Sequence, residues 1–324
     1  MTPVPPPFDP ELGAALELIK AAIPPGLDLT HIPTVRQLVA SERLSDPDLT
    51  LDGHFTIEDR EVPGPPGAPA LSLLICRPTA PRTAGPLPVV YYVHGGGMIV
   101  GTNRSGVTVP LAWAKERDAV VVSVAYRLAP EHPDPAPIED AYAGLLWTAE
   151  HAAELGADAG RILVAGTSAG GGLCAGLTLL ARDRRGPALI GQVLLSPMLD
   201  DRNDTPSALQ MTGLDIWDRS ANHTGWTALL GDRRGGPDVS PYTAPARATD
   251  LSGLPPAFLD VGSAETFRDE TVAYASRIWQ AGGVAELHVW PGGFHGFESS
   301  APQAALSQTA RRAQTEWVRR LLGE

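Results

Sequence analysis

Six short apolar runs spaced through residues 88–290 most constrain what this chain can fold into. They are "PVVYYVH" (88–94), "AVVVSVAY" (119–126), "RILVAG" (161–166), "GQVLLSP" (191–197), "AFLDVG" (257–262) and "AELHVW" (285–290). Each has strand length, and its near-continuous apolar character suits a strand covered on both faces. Helical stretches lie between them: "VPLAWAKERD", "PIEDAYAGLLWTAEHAAEL", "AGGGLCAGLTLLARDRR", "TFRDETVAYASRIWQAG" and a closing helix over about 302–322. Strands alternating with helices imply a largely parallel sheet with helices on both faces. Ahead of them, "HFTIEDREV" alternates, and "LSLLICRP" follows across the breaker-rich "PGPPGAP", which predicts an antiparallel pair.

Two segments stand outside this rhythm. Residues 10–22 and 33–44 carry apolar residues at helical spacing, such as Leu12, Leu16 and Ile19. Residues 201–250 are too long for a plain loop and read as an insertion that packs elsewhere, with the N-terminal helices. At 324 residues and 43% apolar, the chain can bury one large core. Its net charge of −12 argues against a nucleic-acid partner. No apolar stretch reaches the 18 or more residues of a membrane span. The opening "MTPVPPPFDPELG" has neither a basic nor an apolar signal region. Cys76 and Cys174 are too few for a disulfide framework and read as buried free thiols. Together these predict a cytoplasmic protein. No Cys/His cluster has zinc spacing and no P-loop is present, so neither metal nor cofactor is expected.

The chemistry is carried by three loops, each at the end of an expected strand. Gly166-Thr167-Ser168-Ala169-Gly170 is G-x-S-x-G between a strand and a helix, the context a nucleophile elbow requires. Ser168 is therefore the candidate nucleophile. "HGGG" (94–97) follows a core strand and lets backbone N–H groups approach a substrate oxygen. Gly96 and Gly97, with Ala169 just after the nucleophile, are the candidate oxyanion donors, and Gly95 is the alternative to one of the glycines. His94 reads as scaffold. "WPGGFHGF" places His295 in a loop after the last strand, downstream of a serine and an acid. That order, serine then acid then histidine, is the α/β-hydrolase order.

The acid must lie on a loop near His295, to orient the imidazole and stabilise its cation. "VGSAETFRDE" (261–270) offers three carboxylates. Glu265 falls in the turn after the strand. Asp269 and Glu270 fall a turn later beside Arg268, where they read as helix-start residues favouring the dipole. Asp260 lies within the strand. Glu265 is preferred.

"HGGG", "YRLAPEHPDPAP" (126–137), "GTSAGG" (166–171), "FRDE" (267–270) and "HGF" (295–297) occur together and in order over roughly residues 54–322. In this the chain resembles the hormone-sensitive lipase family of α/β-hydrolases, which includes many bacterial carboxylesterases. Thr167, where many members carry Asp, is similar to the GTSAG branch. The resemblance implies an eight-stranded sheet with a helical cap built from residues 1–50 and 201–250, over a catalytic body of 51–200 and 251–324. It implies that Glu265 stands where family members often carry the catalytic Asp of D-P-L-R-D-E. It also implies hydrolysis of short- to medium-chain esters by a Ser-His-Glu triad, and a homodimer, for which "AELHVW" at a sheet edge is a candidate surface. Met211, Leu214 and Trp217, with Ile216 and Trp226, are candidate acyl-pocket residues. Tyr126 and Asp140 are candidate supports behind the site. Amide hydrolysis, lactone opening or natural-product deacetylation would use the same triad, and a receptor of this fold would lack the histidine.

Overall fold

The computed structural model describes residues 4–22, 27–41 and 46–323. Eight strands form one sheet: β1 (Phe55–Val62), β2 (Leu71–Pro78), β3 (Leu87–Val93), β4 (Val120–Ala125), β5 (Ala157–Thr167), β6 (Leu189–Leu195), β7 (Ala257–Gly262) and β8 (Ala285–Trp290). Among the described residues, eleven α-helices accompany them: α1 (Pro10–Ala22), α2 (Ile32–Ser41), α3 (Asp46–Leu49), α4 (Thr108–Arg117), α5 (Ala136–Glu150), α6 (Ala169–Asp183), α7 (Pro206–Gln210), α8 (Arg219–Leu230), α9 (Arg268–Gln280), α10 (Phe297–Ser300) and α11 (Ala305–Leu322). The sheet order is β1-β2-β4-β3-β5-β6-β7-β8. β1 and β2 pair antiparallel, β2 meets β4 antiparallel, and every later pairing is parallel.

The strand alternation shows directly in which side of the sheet each residue serves. Val89, Tyr91 and Val93 of β3 join a core cluster with Leu145 of α5, Leu173 of α6 and Ile278 of α9. Val90 and Tyr92 join the opposite cluster with Leu111 of α4 and Trp317 of α11. The two-residue period thus splits the apolar runs between two helical layers. A third cluster packs Leu12 and Leu16 of α1 against Trp290, Phe294 and Phe297, either side of His295.

The topology fixes where a site can form. From β3 the chain crosses by α4 to β4 on one side, while from β5 it crosses by α6 to β6 on the other. Neighbouring strands β3 and β5 therefore send their connections apart, which opens a crevice at their carboxyl ends. "HGGG" leaves β3 there and Ser168 leaves β5.

Some boundaries differ from the sequence reading. The helix expected over 137–155 stops at Glu150, where His151 caps it with Nδ1 2.9 Å from the Trp147 carbonyl. The closing helix begins at Ala305 rather than 302, behind the short α10. α2 ends at Ser41, and the rest of the helix expected over 33–44 lies outside the described residues.

The crevice depends on α6 packing hard against β3. A methyl group at Gly170 would lie 2.0 Å from the Val93 carbonyl oxygen and 2.5 Å from that of His94. Gly170→Ala is expected to lower the stability by about 1–3 kcal/mol, as overpacking does, and so lower the urea midpoint. An unchanged midpoint would show that the helix can retreat from the strand freely.

Candidate active site

Ser168 is the single residue between β5 and α6. Its backbone is at φ 58°, ψ −122°, a region non-glycine residues rarely occupy. Its N–H donates to the Leu195 carbonyl at 2.8 Å, and its own carbonyl accepts from Met198 N–H at 3.0 Å. The turn leaves Oγ 3.0 Å from Nε2 of His295. Ser168 is 5% and His295 8% exposed, so this pair is nearly dry.

The glycine loop lies alongside. Gly96 and Gly97 have φ of 107° and 61°, and a methyl group at Gly95 would fall 2.9 Å from the Thr167 carbonyl. The Gly96 carbonyl faces inward on its own loop, accepting from Ile99 and Val100 N–H. Among the described residues, the N–H groups of Gly95, Gly96 and Gly97 make no hydrogen bond. The Ala169 N–H opens α6 and so has no carbonyl one turn earlier. Behind the loop, His94 is fully buried, stacks on Tyr126 at 4.2 Å and sets Nδ1 2.7 Å from the Gly95 carbonyl. Tyr126 OH donates to the His94 carbonyl at 3.0 Å. Asp140, also buried, receives three N–H bonds from Arg127, which ties down the following loop.

Of the carboxylates in 260–270, the structure brings Glu265 to the imidazole. It is fully buried in the turn after β7, with Oε2 3.6 Å from His295 Nδ1. That is an ion-pair distance, longer than a normal hydrogen bond. The same oxygen accepts from Ser196 Oγ at 3.1 Å. Asp269 is engaged elsewhere, by Arg268 Nε and by the Ser207 N–H at 2.8 Å each. Glu270 does stand in the first turn of α9, as expected, but it does not face water. It is buried, and its Oε1 takes the N–H groups of Leu199 and Asp200, pinning the chain that leaves β6. Asp260 is held by Trp290 Nε1 and Gln314 Nε2.

The expected acyl-pocket residues separate. Trp217 lies against the glycine loop, since a methyl group at Gly97 would meet its ring at 2.1 Å. Met211 is buried at the end of α7, and Leu214 sits in a turn whose carbonyl takes Lys20 Nζ. Trp226 belongs to the main core, and Ile216 packs with the α1 cluster. Among the described residues no group of three or more His, Cys, Asp or Glu is arranged to hold a metal ion.

A family model described as the alpha/beta hydrolase fold matches residues 90–299, from β3 to the His295 loop. The chain belongs to the hormone-sensitive-lipase-like family of α/β-hydrolases. The carboxylesterase NlhH of Mycobacterium tuberculosis is 42% identical over 233 residues, 69% of this chain and 72% of the relative. The esterase LipI of the same organism is 39% identical over 250 residues, 76% and 77% of the two chains. Among solved structures, a bacterial heroin esterase matches with a TM-score of 0.89 at 39% identity, over 98% of both chains.

In this α/β-hydrolase the histidine sits among acids that the sequence reading passed over. Asp215 accepts the His295 main-chain N–H at 2.9 Å, and Glu298, four-hundredths exposed, lies on the first turn of α10. Neither had a sequence signal, because burial of a carboxylate within an insertion or a short helix is a tertiary property. Ser196 did have one: it directly follows β6, on the strand-end row where sites gather. Burial pulls the His295 pKa down, but Glu265, then Asp215 and Glu298, outweigh it and raise it above the ordinary value. Burial pushes Asp215 up to about 7, against the opposing pull of His295. Burial also raises Asp260 and Glu298, and Glu298 adds to the rise at Asp260. His94 goes the other way: burial lowers it to about 4.

An NMR titration of the ring protons is therefore expected to find His295 above the reference of about 6.5, and His94 far below it. Glu265→Gln removes an anion beside the imidazolium, so the His295 midpoint should fall. A midpoint unmoved by that change would show that Glu265 exerts no field on the ring.

Proposed function

We propose that this carboxylic ester hydrolase is a serine esterase in which Ser168 attacks, His295 moves the proton and Glu265 orients the histidine. The observation that carries this reading is the 3.0 Å separation of Ser168 Oγ and His295 Nε2 at a strained strand–helix turn, beside unbonded glycine N–H groups. Ser168 Oγ adds to the ester carbonyl as Nε2 takes its proton. Charge developing on the carbonyl oxygen is met by N–H groups of Gly96, Gly97 and Ala169, each worth roughly 3–4 kcal/mol of barrier. His295 then gives its proton to the leaving alcohol, and water, activated by the same nitrogen, releases the acid from the acyl-enzyme. The buried carboxylates make the transient imidazolium less unfavourable in a nearly dry site.

Residues 1–50 and 201–250 act as a cap on the catalytic body of 51–200 and 251–324. This is supported by the bonds that join the two segments: Gln210 to the Val4 carbonyl, Lys20 to that of Leu214, and Thr224 to that of Leu27. The Trp217 ring against Gly97 narrows the space beside the oxyanion loop, which suits short to medium acyl groups over long ones. Cys76 and Cys174, both buried and not in a disulfide, fit a reducing, cytoplasmic compartment, and no helix among the described residues is long and apolar enough to cross a membrane.

On short p-nitrophenyl esters, Ser168→Ala is expected to lower kcat by about 10⁴ or more, with the folded state retained. Glu265→Gln should lower kcat by roughly 10³–10⁴, and Asp269→Asn by no more than a few-fold. The reverse ranking would move the orienting role to Asp269, and undiminished turnover by Ser168→Ala would remove the serine mechanism.

A further inference from the structure

The segment Asp215-Ile216-Trp217 touches the histidine, acid and glycine loops of the site, although it belongs to none of them. Asp215 Oδ2 accepts the His295 main-chain N–H at 2.9 Å. The Trp217 carbonyl accepts from Thr266 Oγ1 at 3.0 Å, one residue after Glu265. The Trp217 ring lies on Gly97 of the oxyanion loop. The segment is itself held firmly. Asp218 caps α8 by accepting the Ala221 N–H at 2.9 Å, and its other oxygen takes the Gly213 N–H at 2.7 Å. Asp215 Oδ1 accepts the Ile216 N–H at 2.6 Å, which fixes the carboxyl plane.

Placing a carboxyl group here is unfavourable by desolvation, for Asp215 is only 7% exposed. Its polar partners are two backbone N–H groups, one local and one on the histidine. The histidine's other support is loose: Glu265 stands 3.6 Å from Nδ1, so it attracts the ring without fixing it by a short bond. The shorter polar tether on His295 is therefore the one from Asp215, at the main chain. The imidazole must reach both Ser168 and the leaving oxygen, and an error near 1 Å in such a group lowers rates by about 10².

We propose that Asp215 is a positioning residue for the reaction, holding the His295 backbone so that Nε2 meets Ser168. It also makes the 201–250 segment a structural part of the catalytic centre: when this segment is seated, the histidine is in register. The inference rests on His295 being the base, as set out above.

The test compares Asp215→Ala, Asp215→Asn and His295→Ala in the full chain, with short p-nitrophenyl esters. Rates are expressed per folded chain, counted by circular dichroism and the monodisperse fraction in gel filtration, so unfolded protein does not count. Asp215→Ala is expected to lower kcat tenfold or more with KM within about twofold. Asp215→Asn keeps an oxygen to accept the His295 N–H and should recover kcat to within about threefold of the parent. A kcat for Asp215→Ala equal to the parent's, with His295→Ala inactive, would overturn the role of Asp215 alone. Equal losses in Asp215→Ala and Asp215→Asn would overturn it too, since tethering through an acceptor would not be what matters. Full activity of His295→Ala would overturn the triad and the positioning role together.

Discussion

A serine at φ 58° and ψ −122° persists only where its surroundings leave it no easier conformation. Here the surroundings are backbone. β6 takes the Ser168 N–H through the Leu195 carbonyl, and the chain after β6 returns a bond to the Ser168 carbonyl through Met198. On the other side, α6 packs closely against β5, β3 and the chain after β6: a methyl group at Gly166, Gly170 or Gly172 would lie within about 2.3 Å of the carbonyl of Gly170, Val93 or Met198 respectively. The strain at one residue is thus held by the packing of three strands and a helix. That packing also brings the glycine loop after β3 to the serine's side, because β3 and β5 are neighbours whose connections part.

The second organising feature is charge in a dry place. Glu265, Asp215 and Glu298 act on His295, and Asp260 lies within the field of Glu298 and Glu265, each nearly or fully buried. Burial makes Asp215, Glu298 and Asp260 resist ionisation, and the imidazole is the cation nearest Glu265, Asp215 and Glu298. Glu265, Asp215 and Glu298 raise the histidine's basicity in spite of its burial, which suits the base role proposed for it. Glu270 shows the same residue type put to a different use: it accepts two backbone N–H groups at the exit of β6.

How much of this was legible in the sequence follows from which features are local. The parallel strands are continuous apolar runs because both faces are covered, so each could be read alone, and the antiparallel lead-in was marked by its breaker-rich turn. Ser168 was legible because a nucleophile elbow is a local backbone motif. His295 and Glu265 were legible as members of an ordered set, and the structure brings His295 to Ser168 and Glu265 to His295. Helix ends were less so: α5 stops at Glu150 through a His151 cap that competes with a sequence still favourable to helix. Asp215, Glu298 and the burial of Glu270 were not legible, because an aspartate in "DIWD" or a glutamate in "FRDE" looks the same whether water or a strand lies against it. The insertion hid most, since its residues acquire a setting only when it packs against α1 and the loops of the sheet. That is why Trp226 and Ile216, chosen for their apolar character, turned out to be in core clusters, and Trp217 alone among the aromatic candidates met a site loop.

The central claim is that Ser168 is an activated nucleophile, made so by its turn and by His295. The most direct measurement is mass spectrometry of the intact and then digested protein after brief exposure to a fluorophosphonate. The account predicts one adduct per chain, on the peptide containing Ser168, formed at least a hundredfold more slowly in His295→Ala. Labelling of another residue, or labelling of Ser168 at the same rate without His295, would contradict it.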